Sequence, residues 1–208
     1  MKIFITWSGE LSHRIAVLLS KWLPSMVETV IPTVSVDEDN KGASWFKKLM
    51  DQLNQTDFVI VCLSRENINS PWLLFEAGVI AKSFDQAHVR KILIGDLSDI
   101  DVERPLLNFQ STVLKDKEDM RRLVQTINQT HETRMLSSNA LNRSFEKGWP
   151  TFEDYCNKAI EVMQIRKEIK KPKSDRQLLE EINRVCLHMV KSIDAMSNKN
   201  YLIFNQQC

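Results

Sequence analysis

The run Asp57-Phe58-Val59-Ile60-Val61-Cys62-Leu63 decides the fold, because its apolar residues follow one another without a polar face. A strand of this kind is buried on both sides, which is typical of central strands in parallel sheets. A polar loop, residues 64–69, follows it, and a helical segment begins at Ser70. We therefore predict a strand–loop–helix unit of the kind that builds α/β domains.

Short apolar runs alternate with helical patterns on both sides of this strand, up to about residue 130. The predicted strands are residues 2–6, 33–37, 57–63, 91–95 and 111–114, and the predicted helices are residues 10–23, 44–55, 70–81 and 116–128. Pro24 is expected to end the first helix. The pattern predicts the α/β class, as a flavodoxin-like, doubly wound sheet of five parallel strands in the order 2-1-3-4-5.

The chain divides by composition into a predicted α/β domain, residues 1–130, and a linker with a helical extension, residues 131–208. Residues 131–150 have few periodic apolar positions and are predicted to be a connection with a short helix at most, whereas residues 151–171 are predicted to be helical. Residues 174–196 carry apolar residues at coiled-coil spacing over about three heptads. This stripe either packs back on the domain or joins two copies of the chain.

Composition argues against several classes of function. The net charge is +1, so a general electrostatic attraction to nucleic acid is not expected, and the basic patch at residues 166–173 is better explained as a solvated helix end. The sequence predicts no leader and no membrane span, so a cytoplasmic protein is expected. The four cysteines and four histidines are scattered, and the chain has only five glycines. We therefore expect neither a metal site nor a glycine-rich cofactor loop.

A single carboxylate marks the helix that follows the central strand. Ser70 is a suitable N-cap and Pro71 suits the first helical position. Trp72 and Glu76 are four residues apart, so they share one face of the helix. A buried carboxylate beside an indole is costly unless something uses its charge, which makes Glu76 a candidate for chemistry. The alternative is a first-turn glutamate that complements the helix dipole.

In a doubly wound sheet, ligands bind beyond the carboxyl ends of the strands, where the strand order reverses. With the order 2-1-3-4-5, that crevice lies between the first and third strands. The segments predicted to surround it are Trp7-Ser8-Gly9, residues 37–45 and residues 64–72. Trp7, Trp45 and Trp72 fall at this mouth, where exposed indoles would suit stacking on a planar ligand. Core packing is the alternative for each of them.

These residues also carry a family likeness. The motifs are Phe4-Ile5-Thr6-Trp7-Ser8 in the first strand, Asp39-Asn40-Lys41-Gly42-Ala43-Ser44-Trp45 in the loop after the second, Leu63-Ser64-Arg65-Glu66-Asn67 with Ser70-Pro71-Trp72 and Glu76, and, more weakly, Asn108-Phe109-Gln110. In this order the chain resembles TIR (Toll/interleukin-1 receptor) domains, especially bacterial ones, over residues 1–130. Thr6 and Trp7 stand where Ser and Tyr are usual in that family, and they preserve a hydroxyl and an aromatic ring.

The resemblance implies an NAD⁺-consuming enzyme with Glu76 as the catalytic residue. Bacterial TIR domains of this kind release nicotinamide and give ADP-ribose or a cyclic ADP-ribose isomer, often in anti-phage defence such as the Thoeris systems. NAD⁺ would be the substrate, with no separate cofactor. The expected substrate-binding residues are Thr6, Trp7, Ser8, Gly9, Asp39, Lys41, Trp45 and Trp72. The expected partners are further copies of the chain, through TIR–TIR contacts, and an effector or sensor protein.

Two other functions stay open at this point. A TIR adaptor would act by TIR–TIR assembly alone, without catalysis. A nucleoside deoxyribosyltransferase-like enzyme would combine a similar fold with similar N-glycosidic chemistry.

Overall fold

A computed structural model of the chain describes residues 1–35, 45–130 and 135–170, together with Leu179. The described residues contain one parallel sheet in the order β2-β1-β3-β4-β5. Its strands are β1 (Lys2–Thr6), β2 (Ile31–Val34), β3 (Phe58–Leu63), β4 (Val89–Leu93) and β5 (Gln110–Val113). The predicted α/β class and strand order are confirmed. Every residue of β3 is buried, as expected of a central strand covered on both faces.

Helices cover both faces of this sheet. They are α1 (Glu10–Met26), α2 (Trp45–Leu53), α3 (Pro71–Ser83), α4 (Lys117–Thr130) and α5 (Ser138–Lys170). Alternate β1 residues divide between two cores, so that Ile3 and Ile5 pack with α1, α4 and α5, while Phe4 packs with α2 and α3. None of the helices in the described part of the chain combines the length and apolarity needed to cross a membrane.

Helix α5 begins earlier than the sequence suggests. The prediction of a connection over residues 131–150 is wrong from Ser138 onward, because Phe145 and Trp149 are buried against the domain. Phe152 of α5 stacks on Trp22 of α1, with 4.3 Å between ring centroids. The compact unit that contains the sheet runs from Met1 to Gln164, and residues 165–208 form a second unit. The coiled coil predicted for residues 174–196 lies, apart from Leu179, outside the described residues.

Pro24 does not end α1, contrary to the prediction. The helix continues to Met26, and the side chains of Leu23 and Met26 are both buried in the core. A proline removes one backbone hydrogen bond, but near the end of a helix this loss is small beside the burial of two large apolar side chains. Tertiary packing therefore overrides the local signal.

Candidate active site

Glu76 lies on the buried face of α3. The helix begins as predicted, with Ser70 as N-cap and Pro71 in the first turn. Its buried side chains recur at the spacing of one helical face, and they are Leu73, Glu76, Ala77 and Ile80. Glu76 is the sixth residue of α3, beyond its first turn, and is 2% exposed, so the alternative of a first-turn glutamate that complements the helix dipole is wrong. One carboxylate therefore stands in an otherwise apolar stripe.

Both oxygens of the Glu76 carboxylate accept a hydrogen bond from a described residue. The hydroxyl of Thr6 donates to Oε2, and the indole N–H of Trp72 donates to Oε1 at 2.9 Å. Thr6 is the last residue of β1, which lies between β2 and β3. The carboxylate therefore sits at the carboxyl end of β1, where the strand order reverses. Both donors interact most strongly with an ionised carboxylate, and together they fix its orientation.

Trp7 differs from the expectation of an exposed indole. Its side chain is 7% exposed, its N–H donates to the carbonyl of Ser35 at 3.0 Å, and its ring stacks on His13 with centroids 4.0 Å apart. The ring thus packs against α1, and its polar atom is used to hold the end of β2. The alternative of core packing is correct for Trp7. Trp72, in contrast, is only partly buried and directly contacts Glu76.

Ser8 and Gly9 connect β1 to α1 at the same edge of the sheet. The Ser8 hydroxyl donates to the hydroxyl of Ser70 at 3.2 Å, which links the end of β1 to the N-cap of α3. Gly9 is the N-cap of α1 and has a φ of 80°, a backbone conformation that residues with a Cβ atom rarely adopt. Glycine at this position is therefore explained by the backbone turn.

The structure does not describe the side chains of three further predicted site residues. Asp39 and Lys41 lie outside the described residues. Trp45 is the first residue of α2, and its side chain also lies outside what the structure describes.

A buried amide that the sequence placed in a motif, but not among the site residues, lies at this edge of the sheet. Asn67 is 1% exposed, and the two N–H groups of its Nδ2 are shared among three acceptors, the carbonyls of Ser8 and Cys62 and the hydroxyl of Ser12, at 2.8, 2.9 and 2.9 Å. Its Oδ1 accepts from the backbone N–H of Ser64 at 2.8 Å. A polar residue shortly after a buried central strand was the available signal, although its partners are set by tertiary structure.

Ion pairs hold the loop that follows β4 against its neighbours. Arg65, in the loop that also contains Asn67, lies 2.9 Å from Asp96 and 3.2 Å from Asp101. The hydrogen bond from Arg65 holds the pKa of Asp96 below its ordinary value. Exposed pairs of this kind contribute little to stability.

A second pair joins this loop to the interior of the sheet. Lys91 of β4 is 1% exposed, and its ammonium lies 2.8 Å from the carboxylate of Asp99. Burial opposes the ionisation of Asp99, but hydrogen bonds from Lys91 and Ser111 outweigh it and lower the pKa of this carboxyl. A buried ammonium requires such a partner, because its desolvation is otherwise uncompensated.

Neither described cysteine is placed to act as a nucleophile. Cys62 and Cys156 are buried free thiols. Burial raises the pKa of the Cys62 thiol far above its ordinary value, and burial raises the pKa of Cys156 to about 12. Since the thiolate is the reactive form, both are inert near neutral pH. Within the described ranges, no three His, Cys, Asp or Glu side chains are grouped so as to hold a metal ion.

Comparison with known proteins does not assign a family. No protein-family model matches the chain, and no curated protein matches it significantly. The resemblance to TIR domains therefore stays a prediction.

Proposed function

We propose that this protein is an NAD⁺ glycohydrolase or cyclase that cleaves the bond between nicotinamide and ribose. The observation that carries the proposal is the buried carboxylate of Glu76, held by Thr6 and Trp72 at the reversal of strand order. Ligands of doubly wound sheets bind at this edge. The choice of NAD⁺ as substrate rests on the resemblance of the surrounding motifs to those of TIR domains.

The proposed chemistry needs only one carboxylate. When the glycosidic C–N bond breaks, its electron pair stays with the nicotinamide nitrogen and neutralises the pyridinium ring, so no acid has to protonate the leaving group. Positive charge develops on the ribose, as in the oxocarbenium-like transition states of glycosidases. The ionised Glu76 would stabilise that charge, and a water-poor surrounding strengthens the interaction. Because Thr6 and Trp72 already orient the carboxylate, it need not reorganise during the reaction.

The product depends on which nucleophile reaches the anomeric carbon. Attack by water, with loss of one proton, gives ADP-ribose. Attack by another group of the same molecule gives a cyclic isomer. We include both in the proposal.

We place this activity in cytoplasmic anti-phage defence, by the same resemblance. The enzyme would act as an assembly of several copies through TIR–TIR contacts. Its effect would follow from NAD⁺ depletion or from a product that activates an effector protein. A sensor protein would be a second class of partner.

The direct test measures nicotinamide release from NAD⁺ by the purified full chain, at several protein concentrations and with a crowding agent. We expect release by the wild type and a loss of at least about 100-fold in the Glu76→Gln variant. In glutamine, the side-chain oxygen can still accept from the Trp72 indole, and the amide N–H can donate to the Thr6 hydroxyl. We therefore expect the variant to stay folded. Glu161→Gln, at an exposed position of α5, is the matched control and should retain full activity. Equal rates in wild type and Glu76→Gln would exclude a catalytic role for Glu76.

A non-catalytic TIR adaptor is the second candidate, and one observation favours it. Both oxygens of the Glu76 carboxylate already accept hydrogen bonds from the protein, as they would if the carboxylate served only to join β1 to α3. The adaptor predicts concentration-dependent oligomers and no nicotinamide release under any condition tested. Replacing NAD⁺ by deoxynucleosides in the same assay tests the deoxyribosyltransferase-like alternative, which predicts free base as product.

A further inference from the structure

The side chain of Asn67 joins the two segments of chain that meet at Glu76. On one side, its amide donates to the carbonyl of Ser8, two residues beyond Thr6. On the other side, it donates to the carbonyl of Cys62 at the end of β3 and accepts from the N–H of Ser64. The loop that begins at Ser64 leads directly into α3. Asn67 is therefore bonded to the segment that carries Thr6 and to the segment that leads to Trp72.

The hydrogen bonds determine the orientation of this amide. Its nitrogen faces two carbonyl oxygens, which accept but cannot donate, and its oxygen faces a backbone N–H. A reversed amide would place oxygen against oxygen and nitrogen against N–H. Because the side chain is 1% exposed, bulk solvent does not reach these bonds. The amide thus has one arrangement, and it fixes the separation of the two segments.

Two separate pairs of hydroxyl groups add to this connection. The Ser12 hydroxyl accepts from Asn67 and donates to the hydroxyl of Ser64 at 3.2 Å. The Ser8 hydroxyl donates to that of Ser70, the N-cap of α3, also at 3.2 Å. The end of β1 and the first turn of α3 are therefore held together beside the Asn67 amide.

We propose that Asn67 is a positioning residue for Glu76, which sets the separation of β1 from α3 so that Thr6 and Trp72 reach the two oxygens of the same carboxylate. Asn67 does not touch the carboxylate and acts through backbone groups. Its effect on the geometry of Trp72 and Glu76 does not depend on the reaction. Its effect on a rate rests on the proposed function.

The test measures the environment of Trp72 and the rate of nicotinamide release separately. The full chain is labelled with 5-fluorotryptophan, and the ¹⁹F resonance of Trp72 is assigned among the five tryptophans by the Trp72→Phe variant. The Asn67→Ala variant should shift or broaden this resonance. It should also lower kcat for nicotinamide release by about tenfold to a hundredfold, with KM changed less, because a small displacement of a catalytic group is costly. Ser12→Ala removes one of the three acceptors of the amide and should give a smaller change in the same direction.

Asn128→Ala is the matched control. Asn128 is also a buried asparagine, and it bonds the backbone of Leu136 through both side-chain atoms at 3.0 Å, in the core on the other face of the sheet. Its replacement should lower the stability and leave both the Trp72 resonance and kcat at their wild-type values. A purely structural role for Asn67 would instead give two asparagine variants that differ from wild type only in stability.

Each result then has one meaning. An unchanged Trp72 resonance in Asn67→Ala overturns the proposal, and if that variant does not fold, an unchanged resonance in Ser12→Ala overturns it. A Trp72 shift of equal size in Asn128→Ala overturns it as well. A Trp72 shift confined to Asn67→Ala and Ser12→Ala supports it, even if no variant and no wild-type sample cleaves NAD⁺, in which case only the proposed function fails.

Discussion

The hydrogen bond from Thr6 to Glu76 allows a quantitative prediction for the Thr6→Val variant. Valine has nearly the same shape as threonine and suits a strand, so the change removes the hydroxyl without leaving a cavity. Both side chains of this bond are buried in the wild type. A hydrogen bond to a charged group contributes about 1.5–3 kcal/mol, and we expect the free energy of unfolding to fall by about that amount. For a chain of this length, the melting temperature should fall by about 3–12 °C.

Urea denaturation followed by far-ultraviolet circular dichroism measures the change. The midpoint should decrease while the denaturant dependence of the unfolding free energy stays the same, as expected when stability changes without a change in compactness. Thr6→Ser keeps the hydroxyl and loses one methyl group, which should cost about 1 kcal/mol and preserve the contact with Glu76. Thr112→Val is the control for the substitution itself, because Thr112 is a buried strand threonine whose hydroxyl bonds no carboxylate in the described part of the chain.

Nicotinamide release separates the two Thr6 variants further. The serine variant should keep its rate close to wild type, since its hydroxyl still orients Glu76, and the valine variant should be slower. If Thr6→Val were no less stable than Thr112→Val and cleaved NAD⁺ as fast as Thr6→Ser, the reasoning that Thr6 holds the carboxylate would be refuted.

Three other predictions concern stability. Asp99→Asn removes the negative charge beside the buried Lys91 ammonium, which also donates to the carbonyls of Leu106 and Leu107 at 3.4 Å. Because the Asp99 side chain is 54% exposed, solvent screens this pair, and the variant should lose at most about 1 kcal/mol of unfolding free energy at pH 7 in urea titrations. Since the folded pKa of Asp99 is lowered, the loss should be complete above the ordinary pKa near 3.8 and should vanish as the pH falls through the folded pKa. Thr29→Val should raise the stability by about 1 kcal/mol in the same titrations, because the Thr29 hydroxyl is buried and has no hydrogen-bond partner among the described residues. Phe152→Ala should lower the free energy of unfolding by about 3–5 kcal/mol in thermal and urea unfolding, since it removes the ring that stacks on Trp22 and leaves a cavity.

Sequence reasoning was most accurate where the signal is local. The start of α3 follows from Ser70 and Pro71, whose cap and first-turn preferences depend only on the backbone beside them. The strand order was predicted because parallel strands joined by helices have few permitted arrangements. Trp72 and Glu76 were predicted to share one face of this helix because they are one turn apart, and the hydrogen bond between them confirms it.

Prediction from the sequence was least accurate where contacts with residues distant in the chain determine the structure. Gly148 and Pro150 interrupt the helical pattern before residue 151, yet α5 forms across them because Phe145 and Trp149 are buried against the rest of the compact unit. Gly148 even serves this packing, since a Cβ there would lie 2.4 Å from the Cε atom of Met26. No local rule predicts that contact, which joins residues more than a hundred positions apart.

The site shows the same division between local and distant causes. The sequence identifies Glu76 and Trp72 as neighbours because they are one helical turn apart. It does not show that the Trp7 indole bonds Ser35, or that Asn67 bonds Ser8 and Cys62, because those distances depend on how the strands assemble.

The burial of Glu76 is itself an argument that this carboxylate has a function beyond folding. Its neighbours on the buried face of α3 are apolar, and an apolar residue of similar size would pack there without the cost of removing a charge from water. The fold instead supplies donors from separate elements, among them Thr6 in β1 and Trp72 in α3, to hold the carboxylate in place. Sites that depart from the pattern best for stability are where function is concentrated, because selection retains the cost only if the group is used. Glu76 is such a departure, at the edge of the sheet where ligands of this architecture bind.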